Sequence, residues 1–488
     1  MSAFAGIVGM KTDRKEIEAM VDAMRHRGPD RVSFRELDKG AVAVRELDVS
    51  GVSTPGLSSA PSPTVLLDGE IYNDRADGTS NVDVIADLYR AHGKDCFRHI
   101  EGSYACAVID GDEIILARDS VGSRPVIYNR QNGIVCFASE AKGLIGRAEK
   151  VDELPPRHWF SSKEGVNRFD DFAPDVPEYH SPEQAAKDLE ELLVEATRKR
   201  MADGSAGAVS LSGGLDSSII AAIAKSIDPS IHLFSTTIKR YPSKDLEFAK
   251  LMAKHVDCRH TIYEISDDDI KKSIPDIVWY METFDEDCVS GAIANYYTSK
   301  MIAQHSRCVL VGEGADELFG GYFRELKKID SEEEKKRIAQ KLVDVAYNSA
   351  LRRLDRGWLS NSVNYRTPFL APEVVAFSMR IPISLKHHYD EEQGRDVEKW
   401  ILRKAFQSWL PAEIYARPKL RFAGGTGVDD LMDELTREHV DTGEFANNGT
   451  TASGMKLNSP KELYYYRLFT GHFPAGFENM TARWDPFK

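Results

Sequence analysis

The stretch Val209–Ser218, VSLSGGLDSS, constrains this chain more than any other. Val209 and Leu211 read as the end of a buried strand, two glycines follow, and a helix is expected from about Ser217. A strand that turns through glycines into a helix aims backbone N–H groups and the positive end of a helix dipole at one point, which suits an anion. Glycine is needed because a β-carbon would hold phosphate away from the backbone. Ser212, Gly213 and Gly214 are therefore candidate phosphate contacts, with Leu211, Asp216, Ser217 and Ser218 beside them in the same strand–loop–helix segment. The loop is not of the Walker type, which would close on Gly-Lys-Ser/Thr. An ordinary Gly-Gly turn capped by Asp216 or Ser217 is the plain alternative.

Roughly 100 residues later, Val309–Tyr322 (VLVGEGADELFGGY) repeats the design, a strand running into a glycine-flanked turn. This turn carries Glu313, Asp316 and Glu317, with Gly312 at its start. Open parallel sheets collect ligands at the carboxyl ends of their strands, so the two turns are expected to face one cleft. Asp216 and Asp316 then supply hard oxygen ligands for Mg²⁺ against a phosphate chain. Lys399 in EKWILR and Lys419 in RPKLRF are candidate phosphate cations. A solvated acidic turn and two surface lysines are the plain alternatives.

Composition sets the frame. The 488 residues, 42 % hydrophobic and 29 % charged, describe a folded chain of about two or three domains. The net charge of -14 argues against a general nucleic-acid or membrane-surface binder. Six cysteines form no CxxC pair and no secreted disulfide pattern. No apolar run approaches a membrane span, and the start has no signal-peptide layout, so a cytoplasmic protein is expected.

The first 150 residues alternate short β-type runs (Phe4–Val8, Gly40–Val44, Thr64–Leu67, Tyr104–Asp110, Glu113–Ala117, Gly133–Ala138) with two helical patterns, Lys15–Met24 and Val82–His92. A layered α+β or sandwich-like domain follows. Arg168–Pro182 reads as a linker. Beyond it, Ser181–Lys199 and Ser218–Ser226 read as helices and Ala206–Leu211, Ile231–Thr237 and Cys308–Val311 as strands, the pattern of a parallel α/β sheet. The charge run Ser331–Arg337 reads as a solvated helix face.

SGGLDSS resembles the pyrophosphate loop of enzymes that cleave ATP to AMP and pyrophosphate. Together with AGIVG, RHRGPD (Arg25–Asp30), DGEIYN (Asp68–Asn73), RDSVGSRPVIY, GEGADELFGGY, RTPFL (Arg366–Leu370), EKWILR and YYYRLFTGHFP, it makes nearly the whole chain resemble the asparagine synthetase family. The resemblance implies an α+β N-terminal-nucleophile-like sandwich over 1–165, then an α/β ATP-pyrophosphatase-type synthetase domain over 180–488. It also implies ATP and Mg²⁺ as cofactors, small-molecule carboxylate and amine substrates, and compatibility with a homodimer. In those terms Ser212–Ser218 and Gly312 hold pyrophosphate, Asp216 and Asp316 hold Mg²⁺, Lys399 contacts phosphate, and Glu313 and Lys419 are catalytic.

The glutaminase half departs from the family pattern. The nucleophilic cysteine's position is Ala5, and Glu46 stands where an arginine would grip the carboxylate of glutamine. Asp68 replaces the oxyanion-hole asparagine and would repel developing negative charge, and Asn81 replaces an aspartate. The acceptor pocket is altered too. ETFDEDCVS places Asp287, Cys288 and Ser290 where a Thr-Thr-x-Arg stretch is expected, leaving Asp287, Ser290 and Arg366 as acceptor contacts. The expected activity is an AMP-forming amide ligase that uses ammonia or another amine without hydrolysing glutamine, on an acid that need not be aspartate. An ammonia-dependent asparagine synthetase is the nearest rival, ahead of a lactam or peptide cyclase and a non-catalytic scaffold.

Overall fold

The computed structural model describes every residue except 1, 50–54, 61, 77, 170–178, 180, 241–243, 323–325, 330, 391–393, 419–427 and 482–488. Most of the expected linker Arg168–Pro182, and Lys419 with it, lie outside the described residues.

Two antiparallel sheets form the N-terminal region. One is ordered Arg31–Leu37 (β2), Gly40–Glu46 (β3), Ser2–Val8 (β1), Ile134–Ala138 (β8), Ile127–Gln131 (β7), Asp152–Glu153 (β9). The other is ordered Gly165–Arg168 (β11), His158–Ser161 (β10), Glu113–Arg118 (β6), Gly102–Asp110 (β5), Thr64–Ile71 (β4). Successive side chains alternate between faces. Phe4, Val42, Val44 and Phe137 therefore meet Leu66, Ala107 and Leu116 between the sheets, while Ala3, Ala5 and Ile7 face outward. Helix α1 (Arg14–Asp22) covers that outer face with Ile17, Met20 and Val21, and α2 (Asn81–His92) covers the second sheet with Val82, Ile85 and Ala86. Strand β2 was not expected. Its sequence RVSFREL buries no complete face, and its backbone ladder to β3 holds it at the sheet edge.

The C-terminal region is built on five parallel strands, Arg259–Ile265 (β14), His232–Ile238 (β13), Ala208–Ser210 (β12), Cys308–Leu310 (β15) and Asn364–Arg366 (β16), in that spatial order. Helix α3 (Pro182–Met201), capped by Ser181, precedes the sheet, and α4 (Leu215–Ile227) connects β12 to β13. Helix α5 (Lys244–His255) follows β13, and α6 (Asp267–Met281) and α7 (Glu286–Ile302) lead to β15. The core packs Val209, Leu233, Val309 and Leu310 against Ile219, Ile220 and Ile223, each fully buried. Burying each of those branched side chains contributes about 1.5–3 kcal/mol. The chain leaves β12 toward β13 and β14, then returns to β12's other side with β15. That reversal opens a crevice between the carboxyl ends of β12 and β15.

Charge joins the two regions. Arg27 is fully buried and pairs with Glu140 at 2.8 Å and Asp68 at 2.8 Å from its own region, and with Asp355 at 2.6 Å from the other. Arg124 reaches the same Asp355 at 3.0 Å. Glu282 accepts from the Ala141 and Lys142 amides, from Lys142 Nζ at 2.9 Å and from Arg356 at 3.0 Å. Breaking one partner of such a buried pair costs about 3–5 kcal/mol, so the interface is fixed in one register.

Candidate active site

The glycine loop after β12 runs into a helix as the sequence predicts, and its shape follows from local chemistry. Helix α4 begins at Leu215 with Gly214 at its N-cap. The Ser212 amide donates to Ser217 Oγ at 3.1 Å, and the two hydroxyls lie 2.9 Å apart, which folds the loop over the first helical turn. Gly213 has φ +80°, and a β-carbon there would lie 2.2 Å from the Asp245 carbonyl oxygen. Gly312 is equally constrained, since its β-carbon would lie 2.8 Å from the Ser217 nitrogen. Its missing side chain lets the two crests touch. Outside the loop, Arg417 donates to the Gly213 carbonyl at 2.9 Å, pairs with Asp245 and stacks on Phe248 at 4.1 Å.

The second crest starts at β15 and enters the short helix α8 (Ala315–Phe319), which carries Asp316 and Glu317. Lys399 joins the crests. Its ammonium lies 2.5 Å from Asp216 and 2.5 Å from Asp316, with the side chain 2 % exposed. Burial opposes its charge, but the two carboxylates outweigh burial and hold the ammonium well above the usual lysine range. Lys399 has a left-handed backbone, φ 54°, at the N-cap of helix Trp400–Ala405, which turns the side chain into the crevice.

Ser212, Asp216, Ser217, Gly312, Glu313, Asp316 and Glu317 line one cleft between the crests. Burial in the cleft wall raises the Glu313 carboxyl to about 7; the nearby Arg353 opposes this, while Glu317 and Asp216 add to it. Thr367 Oγ1 donates to the Glu313 carbonyl at 2.7 Å and fixes its backbone. A carboxylate that titrates near neutrality suits proton transfer from an amine.

The residues present fit Mg²⁺ carried with a nucleotide. Among the described residues no group of three or more His, Cys, Asp and Glu makes a closed metal cage. Mg²⁺ needs only one or two carboxylates when phosphate oxygens and water complete its shell, and Asp216 and Asp316 converge in that way. The Ser218 hydroxyl, fully buried in the same first turn, has no hydrogen-bond partner among the described residues.

The acceptor expectations need correction. Arg366 is not in the cleft. Its guanidinium is spent on Glu70 at 2.6 and 2.9 Å, on Asp203 at 2.7 and 2.8 Å and on the Arg200 carbonyl at 2.6 Å, which ties β16 to the N-terminal region. Ser290 is buried against the Tyr465 hydroxyl at 3.1 Å, and Asp287 is exposed in the first turn of α7. Position along the helix explains the miss for Asp287, which shares the stripe of Ala294 and Thr298 but lies about two turns earlier, and α7 presents Ala294, Asn295 and Thr298 to the cleft. The sequence reading also missed Arg353, which lines the cleft from helix Ala350–Leu359. It lies across Gly291, where a β-carbon would meet its guanidinium at 2.8 Å. Nothing in ALRRLDRGW marks this arginine above its neighbours; Gly291 opposite was the only available sign.

In the N-terminal region Ala5 is fully buried in the interior of β1, its neighbours on both sides paired to β3. Glu46 ends β3, accepting from Arg31 and from the Gly56 amide at 2.8 Å. Asp68 is fully buried in β4 on Arg27, and Asn81 accepts from Arg75 at the start of α2.

Residues 188–358 and 330–473 match the family model for asparagine synthase, and residues 1–164 match that of a glutamine amidotransferase domain. The chain belongs to the asparagine synthase family. A probable glutamine-hydrolysing asparagine synthetase of Dictyostelium discoideum is 27 % identical, over 97 % of this chain and 93 % of that one. Asparagine synthetase B (glutamine-hydrolysing) of Escherichia coli strain K12 is 28 % identical, over 97 % and 92 %. Among solved structures, a glutamine phosphoribosylpyrophosphate amidotransferase from B. subtilis superposes with a TM-score of 0.29 at 16 % identity, over 54 % of this chain and 65 % of that one, too loosely to carry an argument. The protein is a carbon–nitrogen ligase of an ATP-dependent, amide-forming family. No helix among the described residues is long and apolar enough to cross a membrane.

Proposed function

We propose that this asparagine synthase family member adenylates a carboxylic acid with ATP and Mg²⁺ and passes the acyl group to ammonia or a small amine that does not come from glutamine. The observation that carries the synthetase half is the convergence of Asp216 and Asp316 on one buried lysine, Lys399, at the mouth of the SGGLDSS loop. Asp216 and Asp316 would hold Mg²⁺, which when bound would supply positive charge against the ATP phosphates. Ser212, Gly213 and the amides of the first turn of α4 cradle the pyrophosphate, and Lys399 offsets charge as it leaves. Lys419 is assigned by the family resemblance as the second cation for the same charge. Glu313 takes the proton from the attacking amine.

Arg353 gives the acid pocket a guanidinium that meets no carboxylate within ion-pair distance among the described residues. It suits an acid with a second anionic group, and aspartate is the first acid to test. The loss of glutamine hydrolysis is supported by the other half. A nucleophile with its own free amine needs the first position of a chain segment, yet Ala5 offers a methyl group in mid-strand. Glu46 and Asp68 put negative charge where a glutamine carboxylate and an oxyanion would sit, and both are tied up by arginines.

The test is exchange of labelled pyrophosphate into ATP across a panel of carboxylic acids, followed by AMP release with ammonium and with small amines. Glutamate release from glutamine is measured beside it. Exchange with at least one acid, with no glutamate formed, supports the reading. No exchange with any acid sinks the synthetase half, and steady glutamate formation sinks the other.

A further inference from the structure

A second, smaller cavity lies behind α8, separated from the synthetase cleft by Glu317, whose side chain lines both spaces. Its walls are apolar, formed by Leu326, Ala339, Leu342 and Ile383. Glu317, Lys327, Lys335 and Lys386 also line it, and the last of these stands apart. Lys386 lines the cavity at 4 % exposure, and no hydrogen bond or ion pair engages its ammonium among the described residues.

We propose that this cavity is a ligand site for a small organic monoanion, a short-chain carboxylate, whose charged end meets the Lys386 ammonium and whose alkyl end packs on the apolar wall. The site is distinct from the synthetase cleft and independent of the activity proposed above.

The charges around the cavity fix the class of ligand. At its rim Lys327 pairs with Asp396, His387 lies 3.3 Å from the same Asp396, and Lys335 pairs with Glu332 at 2.6 Å. The one carboxylate in the wall, Glu317, accepts from the Tyr322 hydroxyl at 2.7 Å. Lys386 is therefore the one lining lysine without a carboxylate partner among the described residues, and a single ammonium calls for a monoanion rather than a phosphate dianion. An interior ammonium with no counter-ion is costly, so an anion that enters with it lowers the cost for both. Burial alone, with no neighbouring charge to oppose it, pushes the Lys386 amine down to about 7. Gly320 ends α8 against the Lys386 stem, where a β-carbon would lie 3.3 Å from Lys386 Cβ. A ligand held there packs behind the helix that carries Asp316.

Isothermal titration of the full-length protein with sodium butyrate, against sodium chloride at equal ionic strength, tests the assignment. One saturable butyrate site is expected, weakened at least tenfold in K386M. Should K386M fail to fold, L342W keeps the ammonium but fills the cavity, and it is expected to lose butyrate binding as well. Absence of saturable binding, binding within twofold of wild type in either folded variant, or inorganic phosphate binding as tightly as butyrate would each overturn the proposal.

Discussion

Replacing Lys399 by methionine is the sharpest perturbation of the cleft, because it keeps the volume and removes only the charge. In the structure that ammonium is 2 % exposed and touches two carboxylates at 2.5 Å. Removing one partner of a buried ion pair costs about 3–5 kcal/mol. Asp216 and Asp316 are 21 % and 26 % exposed, so water recovers part of that loss and about 2–3 kcal/mol is expected from urea unfolding. The two acids, left facing each other, then raise each other's pKa, and a divalent cation becomes their best remaining counter-charge. Magnesium chloride should therefore raise the melting temperature of K399M more than that of wild type. Pyrophosphate exchange should fall by about 10²–10³-fold, the size of one lost transition-state contact. A variant within about 0.5 kcal/mol of wild-type stability and threefold of its exchange rate would refute the idea that Lys399 joins the two crests.

Four further outcomes are expected. Glu313 is protonated more readily in the folded state than its ordinary value of 4.5 allows, so the folded protein loses stability as pH rises from 4.5 to about 7. E313Q should flatten that dependence, and it should remove an ascending limb with a midpoint near 7 from the pH profile of amide formation. Cysteine at position 5 should yield no glutamate from glutamine, since the thiol would lie in a strand without a free amine beside it; measurable glutamine turnover by A5C would overturn the reading of that region. D355N should destabilise the chain by about 3 kcal/mol in urea unfolding, because Arg27 and Arg124 both lose their carboxylate across the interface. R353M should raise the KM for the acid at least tenfold and leave the KM for ATP within threefold, and equal effects on both would remove Arg353 from the acid pocket.

Much of the site was legible because its signals are local. A strand, two glycines and a helix start occupy Val209–Ser218, and backbone sterics alone require glycine at 213, where φ is +80°. The same holds for the acidic turn after Cys308–Leu310 and for the alternation that builds β1, β3, β4 and β5. Edge strand β2 escaped notice because a strand held chiefly by backbone pairing leaves little pattern in its side chains.

The acceptor residues were misread for a different reason. Motif position marks Arg366 as a substrate contact, but only the approach of Glu70 and Asp203 from elsewhere in the chain decides that its guanidinium is already engaged. Arg353 shows the converse, a residue without a motif that the packing of two helices through Gly291 delivers to the cleft. Residue types and spacing, then, determined the glycine loop between strand and helix, the paired acids and the loss of a thiol at position 5. Which charges remain available for a ligand was settled by tertiary structure, since a side chain's partners lie tens to hundreds of residues away and burial sets what each pairing is worth.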